Sequence, residues 1–222
     1  MLPKTKYQME TSEIKKYAEI LFPYLPEQIK GKPCSKSLKI NILCCILYKC
    51  KTGCHWRMLP ISTFLNEKMG WQNIYYHYRM WVKSEVFQKA WNDLLKKKSS
   101  KLDMSIVNLD GSQTLSKKGG EYVSYQARKK AKTTNMLYLT DKQGVIIPVS
   151  EPIAGNHNDL FNIKIYFKKM LEDLNEAQIS TKGLFLNADT GFDAKDFRAQ
   201  LLDEDIISII PTNPRNAKKK IC

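Results

Sequence analysis

The stretch "KGLFLNADTGFDAKDFRAQL", Lys182 to Leu201, decides the fold. Its first half, "KGLFLNAD", is a short run of continuous apolar character, as buried parallel strands tend to be. Its second half, "AKDFRAQLL" from Ala194, is spaced as a helix. Strand, tight turn and helix in that order form half of a β-α-β unit. Two aspartates stand in or beside the turn. Asp193 directly precedes the helix, where a carboxylate is expected to accept hydrogen bonds from the first helical N–H groups. Asp189 lies where the strand emerges, a place where ligands collect in open α/β sheets. It reads either as a metal ligand or as a cap of the turn.

Upstream, "MSIVNLDGSQTL" (Met104–Leu115) reads as a strand, and Asp110 holds a station on it like that of Asp189. Residues 119–150 read as two strands joined by the turn "DKQG". "NHNDLFNIKIYFKKMLEDL" (Asn156–Leu174) reads as an amphipathic helix with Asn158 or Asp159 as its cap, and "IISIIPTN" (Ile206–Asn213) as a last strand. The order β-β-β-α-β-α-β describes a hairpin sheet continued by parallel strands with helical crossovers. If the strands of Asp110 and Asp189 are neighbours, both carboxylates meet at one edge of the sheet. Mg²⁺ prefers oxygen ligands and is commonly held by one or two carboxylates plus a substrate phosphate.

The first hundred residues are helical in pattern. Thr11 or Ser12 caps a helix carrying Ile14, Tyr17 and Leu21 that stops at Pro23. A second runs from Ser35 or Ser37 to Gly53, apolar nearly all round and so central to its domain. After the turn "HWRMLP", the segment "WQNIYYHYRMW" (Trp71–Trp81) puts Trp71, Ile74, Tyr75, Tyr78 and Val82 on one side, expected in the core. Tyr76, Arg79 and Lys83 fall on the other, either as solvated surface or as contacts to phosphates or bases. A further helix carries Val86, Phe87, Trp91 and Leu94. It ends in "KKKSSK", which sets the boundary between a helical domain, residues 1–98, and a second domain, residues 102–222.

The formal net charge of +14 over 222 residues raises the odds of a polyanionic partner. The longest apolar run, Ile40–Tyr48, falls far short of a bilayer span, and the first ten residues lack the apolar core of a signal peptide. A cytoplasmic protein without membrane association is expected. The six cysteines lack zinc-ligand spacing, and they are expected as buried thiols.

"CKTGCHWRMLP" followed by "WQNIYYHYRMW" resembles the N-terminal domain of bacterial insertion-sequence transposases of the insertion-sequence-five type. The stretch from "NLDGSQTL" through "GNHNDL", and "GLFLNADTGFDAKDFRAQL", resemble the catalytic domain of the same family. The resemblance runs from Ser35 to Asn216. It implies an α+β chain: a helix-turn-helix-like N-terminal domain, then an incomplete RNase H-like domain with a mixed sheet. It also implies a DDE triad, two Asp and one Glu holding two Mg²⁺ (or Mn²⁺) ions, whose first Asp falls on Asp110 and second on Asp189. The activity implied is cutting element ends and joining them to target DNA. The implied partners are double-stranded DNA, the terminal inverted repeats and target DNA, bound by a homo-oligomer when active. Arg128, Lys129, Lys130 and Lys132 would then face phosphates near the site. His157 and Asp159 match the family pattern, as loop and cap residues or as outer support of the ligands.

One feature departs from the family. Its Glu lies on a helix beyond the last strand, and here only "PRNAKKKIC" follows, without an acid. The chain is therefore expected to be C-terminally truncated, either as a degraded remnant or as the first frame of a product made by slippage at Lys218–Lys220. A two-ligand site should be inactive alone, exposed apolar surface is expected on the second domain, and a non-catalytic, DNA-binding regulator of transposition is the competing reading.

Overall fold

The computed structural model describes residues 11–27, 34–66, 68–117 and 119–214. The first ten residues and the segment from Arg215 on, with Lys218–Lys220 and Cys222, lie outside the described residues. The chain divides into two compact units, one up to Trp91 and one from Asn92.

The first unit is helical. Helix α1 spans Thr11–Leu21 and passes into a 3₁₀ turn at Phe22–Tyr24, whose Pro23 sits where a missing N–H costs nothing. Helix α2, Lys36–Thr52, starts at Ser35, whose hydroxyl accepts from the Leu38 amide at 3.2 Å. It ends at Gly53, which takes φ +67°, a conformation open to glycine at little cost. Helix α2 buries Ile40, Ile42, Leu43, Cys44, Cys45 and Ile46, which makes it the centre of its unit. Burial pushes the Cys45 thiol up to about 12, so it packs as a small apolar group. Cys50, by contrast, is exposed. Lys39 is buried too, and its ammonium donates to the carbonyls of Pro26 and Glu27 at 2.9 and 3.0 Å.

A short helix α3 (Ile61–Phe64) leads to α4 (Trp71–Lys83) and α5 (Val86–Lys98). The buried stripe of α4 is rotated from the expected one. Ile74 and Trp81 are fully buried, whereas Tyr75 and Val82 are exposed. The reason lies in the preceding 3₁₀ turn, Trp56–Met58. Trp56 packs against Tyr75 and Tyr78 at 5.1 and 5.2 Å between ring centres and so covers only one edge of the aromatic stripe. On α5, likewise, Leu95 is buried and Leu94 is exposed.

The second unit holds a seven-stranded mixed sheet. Its strands are β1 (Ile106–Leu115), β2 (Ser124–Gln126), β3 (Ala131–Thr140), β4 (Ile146–Val149), β5 (Ile153–Ala154), β6 (Phe185–Ala188) and β7 (Ile207–Ile209). The central order is β2-β3-β1-β6-β7, with β4 and β5 also paired to β3. β1 and β3 form a long antiparallel hairpin, while β1, β6 and β7 run parallel, joined through α6 (Ile163–Glu176) and α7 (Lys195–Asp203). An antiparallel hairpin extended by two parallel strands through helical crossovers is the RNase H-like arrangement, in a chain of α+β class.

Burial alternates along β3, β6 and the first half of β1. Val107, Leu109, Leu137, Leu139, Leu186 and Ala188 are buried. Phe167, Met170 and Leu174 of α6 and Phe197 and Leu201 of α7 are buried as well, with Phe167 and Phe197 meeting edge to face at 5.2 Å. Strand β6 is thus half-buried, not apolar on both faces. Phe185, Ile207 and Ile209, all on its other face or that of β7, are 41%, 48% and 44% exposed.

In the first unit, burial, with Lys39 second, holds the His77 imidazole below its ordinary value of about 6.5. The folded state therefore favours neutral His77. Its contribution is complete above about pH 6.5 and is lost as pH falls toward the lower folded value, because the unfolded chain takes up the proton first. The thermal midpoint of this unit should fall between about pH 7 and about pH 5 with a slope that His77→Gln reduces. Equal slopes for the two proteins, measured by circular dichroism, would show that His77 does not titrate this way.

Candidate active site

Asp110 lies on β1, and Asp189 directly follows β6, its parallel neighbour. The register pairs Asn108 with Asn187 and Leu109 with Ala188, and one further step sets Asp110 opposite Asp189. Adjacent strands stand about 4.8 Å apart. The inward side chains Leu109 and Ala188 are buried, so alternation sends the residues on either side of each to the open face. Asn187 Nδ2 donates to Asn108 Oδ1 at 3.0 Å across that face. Each strand thus carries the same word, Asn-x-Asp, with the asparagines bonded and the aspartates one pleat further on. That repetition was a signal available in the sequence.

Both carboxylates are exposed and anchored by one oxygen. Asp110 Oδ1 accepts from the Gly111 amide at 2.8 Å, and Asp189 Oδ1 accepts from the Gly191 amide at 2.7 Å. The second contact caps the 3₁₀ turn Thr190–Phe192, so Asp189 does cap a turn while leaving Oδ2 without a described partner. Two outward carboxylate oxygens on one face suit a hard, oxygen-seeking divalent cation. Among the described residues, no group of three or more His, Cys, Asp or Glu side chains gathers as a metal site.

Asp193 is not the N-cap of α7: that position is Ala194, whose side chain makes no cap hydrogen bond. Asp193 instead pairs with Arg198 Nε at 2.8 Å and accepts from the Asn213 amide at 2.6 Å, while Arg198 reaches the Ile210 carbonyl at 2.6 Å. A half-buried ion pair bound to the chain after β7 occupies the Asp193 carboxylate.

Helix α6 begins seven residues later than Asn156. Its N-cap is Asn162, in the left-handed region at φ +50°, so neither Asn158 nor Asp159 caps it. Asp159 Oδ1 accepts from Asn135 Nδ2 at 2.7 Å. A Cβ on Gly111 would overlap the same carboxylate. Since Asp110 points to the open face, the missing Cβ of Gly111 points to the inner one, and Asp159 occupies that inner space. His157 stacks on Phe161 at 3.5 Å, and its amide donates to the Ala154 carbonyl at 3.0 Å.

Arg128 and Lys129 lie in a 3₁₀ turn at the tip of the β2–β3 hairpin, with Lys130 left-handed at φ +49° and Lys132 on β3; all four are exposed. Lys129 Nζ donates to the Gln113 carbonyl at 3.3 Å. In the first unit, Arg79 and Lys83 are exposed on α4 and border a shallow depression with Gln72, Tyr75, Tyr76 and Met80. Among the described residues, no helix is long and apolar enough to cross a membrane.

Residues 18–91 match the model of a protein family described as "Putative transposase of IS4/5 family (DUF4096)". No curated protein matches the chain. Among solved structures, a piggyBac transposase synaptic complex with hairpin DNA matches at 15% identity and a TM-score of 0.49, over 92% of this chain and 48% of that one. A Mos1 transposase paired-end complex with left transposon end matches at 10% identity and a TM-score of 0.36, over 83% of this chain and 61% of that one. The chain spans about half to three-fifths the length of these proteins.

The Gly111–Asp159 contact makes a quantitative expectation. Gly111→Ala should destabilise the protein by about 1–3 kcal/mol, the usual range for an overpacked site. Combined with Asp159→Gly, the loss should be smaller than the sum of the two single losses, read from denaturant unfolding. Strict additivity would mean that Asp159 is not what fills the space.

Proposed function

We propose, from the match of residues 18–91 to the putative IS4/5 transposase family together with the geometry of the second unit, that the protein is the DNA transposase of an insertion element. The observation that carries the proposal is the convergence of Asp110 and Asp189 on one open face of an RNase H-like sheet. Residues 1–98 serve as the DNA-binding domain and 102–222 as the catalytic one. Asp110 and Asp189 hold the metal, Mg²⁺ or Mn²⁺, through the oxygens their backbone contacts leave free. When bound, such ions activate a hydroxyl and stabilise the leaving oxygen of a phosphodiester.

The other residues position substrate or ligands. Arg79 and Lys83 on α4 contact duplex phosphates at element ends, and Arg128, Lys129, Lys130 and Lys132 take phosphates near the carboxylates. Asp159 supports Asp110 indirectly, by seating the β1 backbone at Gly111, and His157 steadies the loop that carries Asp159. The partners are double-stranded DNA, as terminal repeats and target, and further copies of the chain.

A second reading has a specific observation in its favour. Only two carboxylates gather among the described residues, and two ligands hold Mg²⁺ weakly. On that reading the polypeptide occupies element ends without cutting them and limits transposition.

Two measurements test these statements. Mn²⁺ binding followed by electron paramagnetic resonance should be weak in the wild type and absent in Asp110→Asn/Asp189→Asn; binding that survives the double change would remove the carboxylates from the site. Purified chain should cut element-end duplex little or not at all in Mg²⁺. Cutting that disappears in Asp189→Ala would refute the non-catalytic reading and establish the enzyme. Duplex affinity should fall steeply with salt, and removing Arg79 and Lys83 should lower the slope of log affinity against log salt by about two. An unchanged slope would take α4 out of the interface.

A further inference from the structure

The hairpin of β2 and β3 carries more than charge. Between Tyr122 and Thr133 the chain has four cations and no acid. Tyr125 is 58% exposed and Tyr122 is 44% exposed, large aromatic rings left in solvent beside that charge. Both lie on the face of the catalytic candidates. Tyr125 is the cross-strand partner of Lys132. Lys132, Thr134, Met136 and Tyr138 share one face of β3, alternating with the buried Thr133, Asn135, Leu137 and Leu139. Asp110 is the cross-strand partner of Tyr138. The Thr134 hydroxyl donates to the Tyr122 carbonyl at 3.1 Å, which lays the Tyr122 segment over the same face.

We infer that this face is a track for an unpaired DNA strand, running from the carboxylates to the hairpin tip, on which Tyr125 stacks a base and Lys132, Arg128 and Lys130 meet phosphates. The six residue steps from Tyr138 to Lys132 span about 20 Å of strand. Ser112 and Thr114, the partners of Met136 and Thr134, line the way with hydroxyls. A duplex keeps the faces of its bases against one another and presents only their edges, with sugars and phosphates, so an exposed ring can stack on a base only where bases are unstacked. Stacking on an aromatic side chain together with a basic groove is the general chemistry of single-strand binding. Tyr125 was passed over in the sequence because one tyrosine in a basic run has no period. Its pairing with Lys132, and through β3 with the level of Asp110, appears only in the register.

The inference rests on the reading that the chain acts on DNA, and not on its carboxylate chemistry. The test therefore uses the full chain with chelator and no divalent metal. Fluorescence anisotropy is read with a labelled oligothymidylate and with a duplex of equal length, for the wild type, Tyr125→Ala and Tyr125→Phe. Tyr125→Ala should weaken the single strand on the order of tenfold and leave the duplex unchanged, with Tyr125→Phe close to wild type. Photocrosslinking of an iodouracil-substituted strand should label Tyr125 in the wild-type protein, a measurement that involves no substitution. Equal loss on both DNAs would reduce the patch to a phosphate contact and overturn the inference, as would no loss on either. Binding of neither DNA by the wild type would overturn it and the DNA-acting reading together, whereas a failed cleavage assay would leave it standing.

Discussion

The parallel register between β1 and β6 is the constraint on which the second unit depends. Val107 and Leu109 on one strand and Leu186 and Ala188 on the other are all buried. Removing such side chains from water contributes about 1.5–3 kcal/mol for each of the larger ones. Because the side-chain period of a strand is two, burying these four leaves no freedom for Asn108, Asp110, Asn187 and Asp189, which must face outward. A slip of one residue in either strand would turn that strand over and bury its carboxylate, at several kcal/mol for an unpaired charge. Hydrophobic gain and desolvation cost therefore select the same register. The candidate site follows from the core and needs no interaction of its own to assemble.

The opposite face of the same hairpin shows a different solution. Beyond Leu109 and Leu137 the inward positions become polar: Gly111, Gln113, Asn135 and Thr133. Asp159 fills the space beside Gly111 and holds Asn135 by one hydrogen bond. Gln126 Nε2 donates to the Gly155 carbonyl at 2.9 Å. Here the core ends, and the loop from 155 to 161 replaces apolar packing with hydrogen bonds to the strands. Rigidity of β1 at Asp110 is thus secured from both ends, by aliphatic burial behind it and by a carboxylate seat ahead of it.

Much of this was legible in the residues, and the failures have identifiable causes. The helices and the longer strands came through in order because strand and helix periods differ sharply, and Gly53 and Ser35 mark α2 with strong local signals. Strands β2 and β5, three and two residues long, are too short to show a period and were not expected. The caps misread at Asp193 and Asp159 were local inferences defeated by distant partners, Arg198 with Asn213 in one case and Asn135 in the other. No spacing rule announces those. The stripe of α4 was rotated because Trp56, outside the helix, decides which aromatic edge is covered. The placement of Asp110 beside Asp189 was conditional on strands 79 residues apart in sequence being neighbours. The shared Asn-x-Asp word pointed that way, since two open-face positions repeated on two strands make a bonded ladder when the strands meet in register.

The charge distribution gives the last step. The chain carries +14, and long-range attraction of a polyanion follows, although at physiological salt it is screened beyond about 8 Å. In the proposed function, steering brings DNA to the hairpin and helix surfaces, where the cations stand. At the level of Asp110 and Asp189 the sign reverses: a phosphate there meets two exposed carboxylates at close range, where screening helps least. An acidic pair at the end of a basic track repels the ligand the rest of the surface attracts, unless a cation lies between them. In the proposed function that conflict becomes a selection rule, because the phosphate can settle at the carboxylates only together with the metal that makes it reactive.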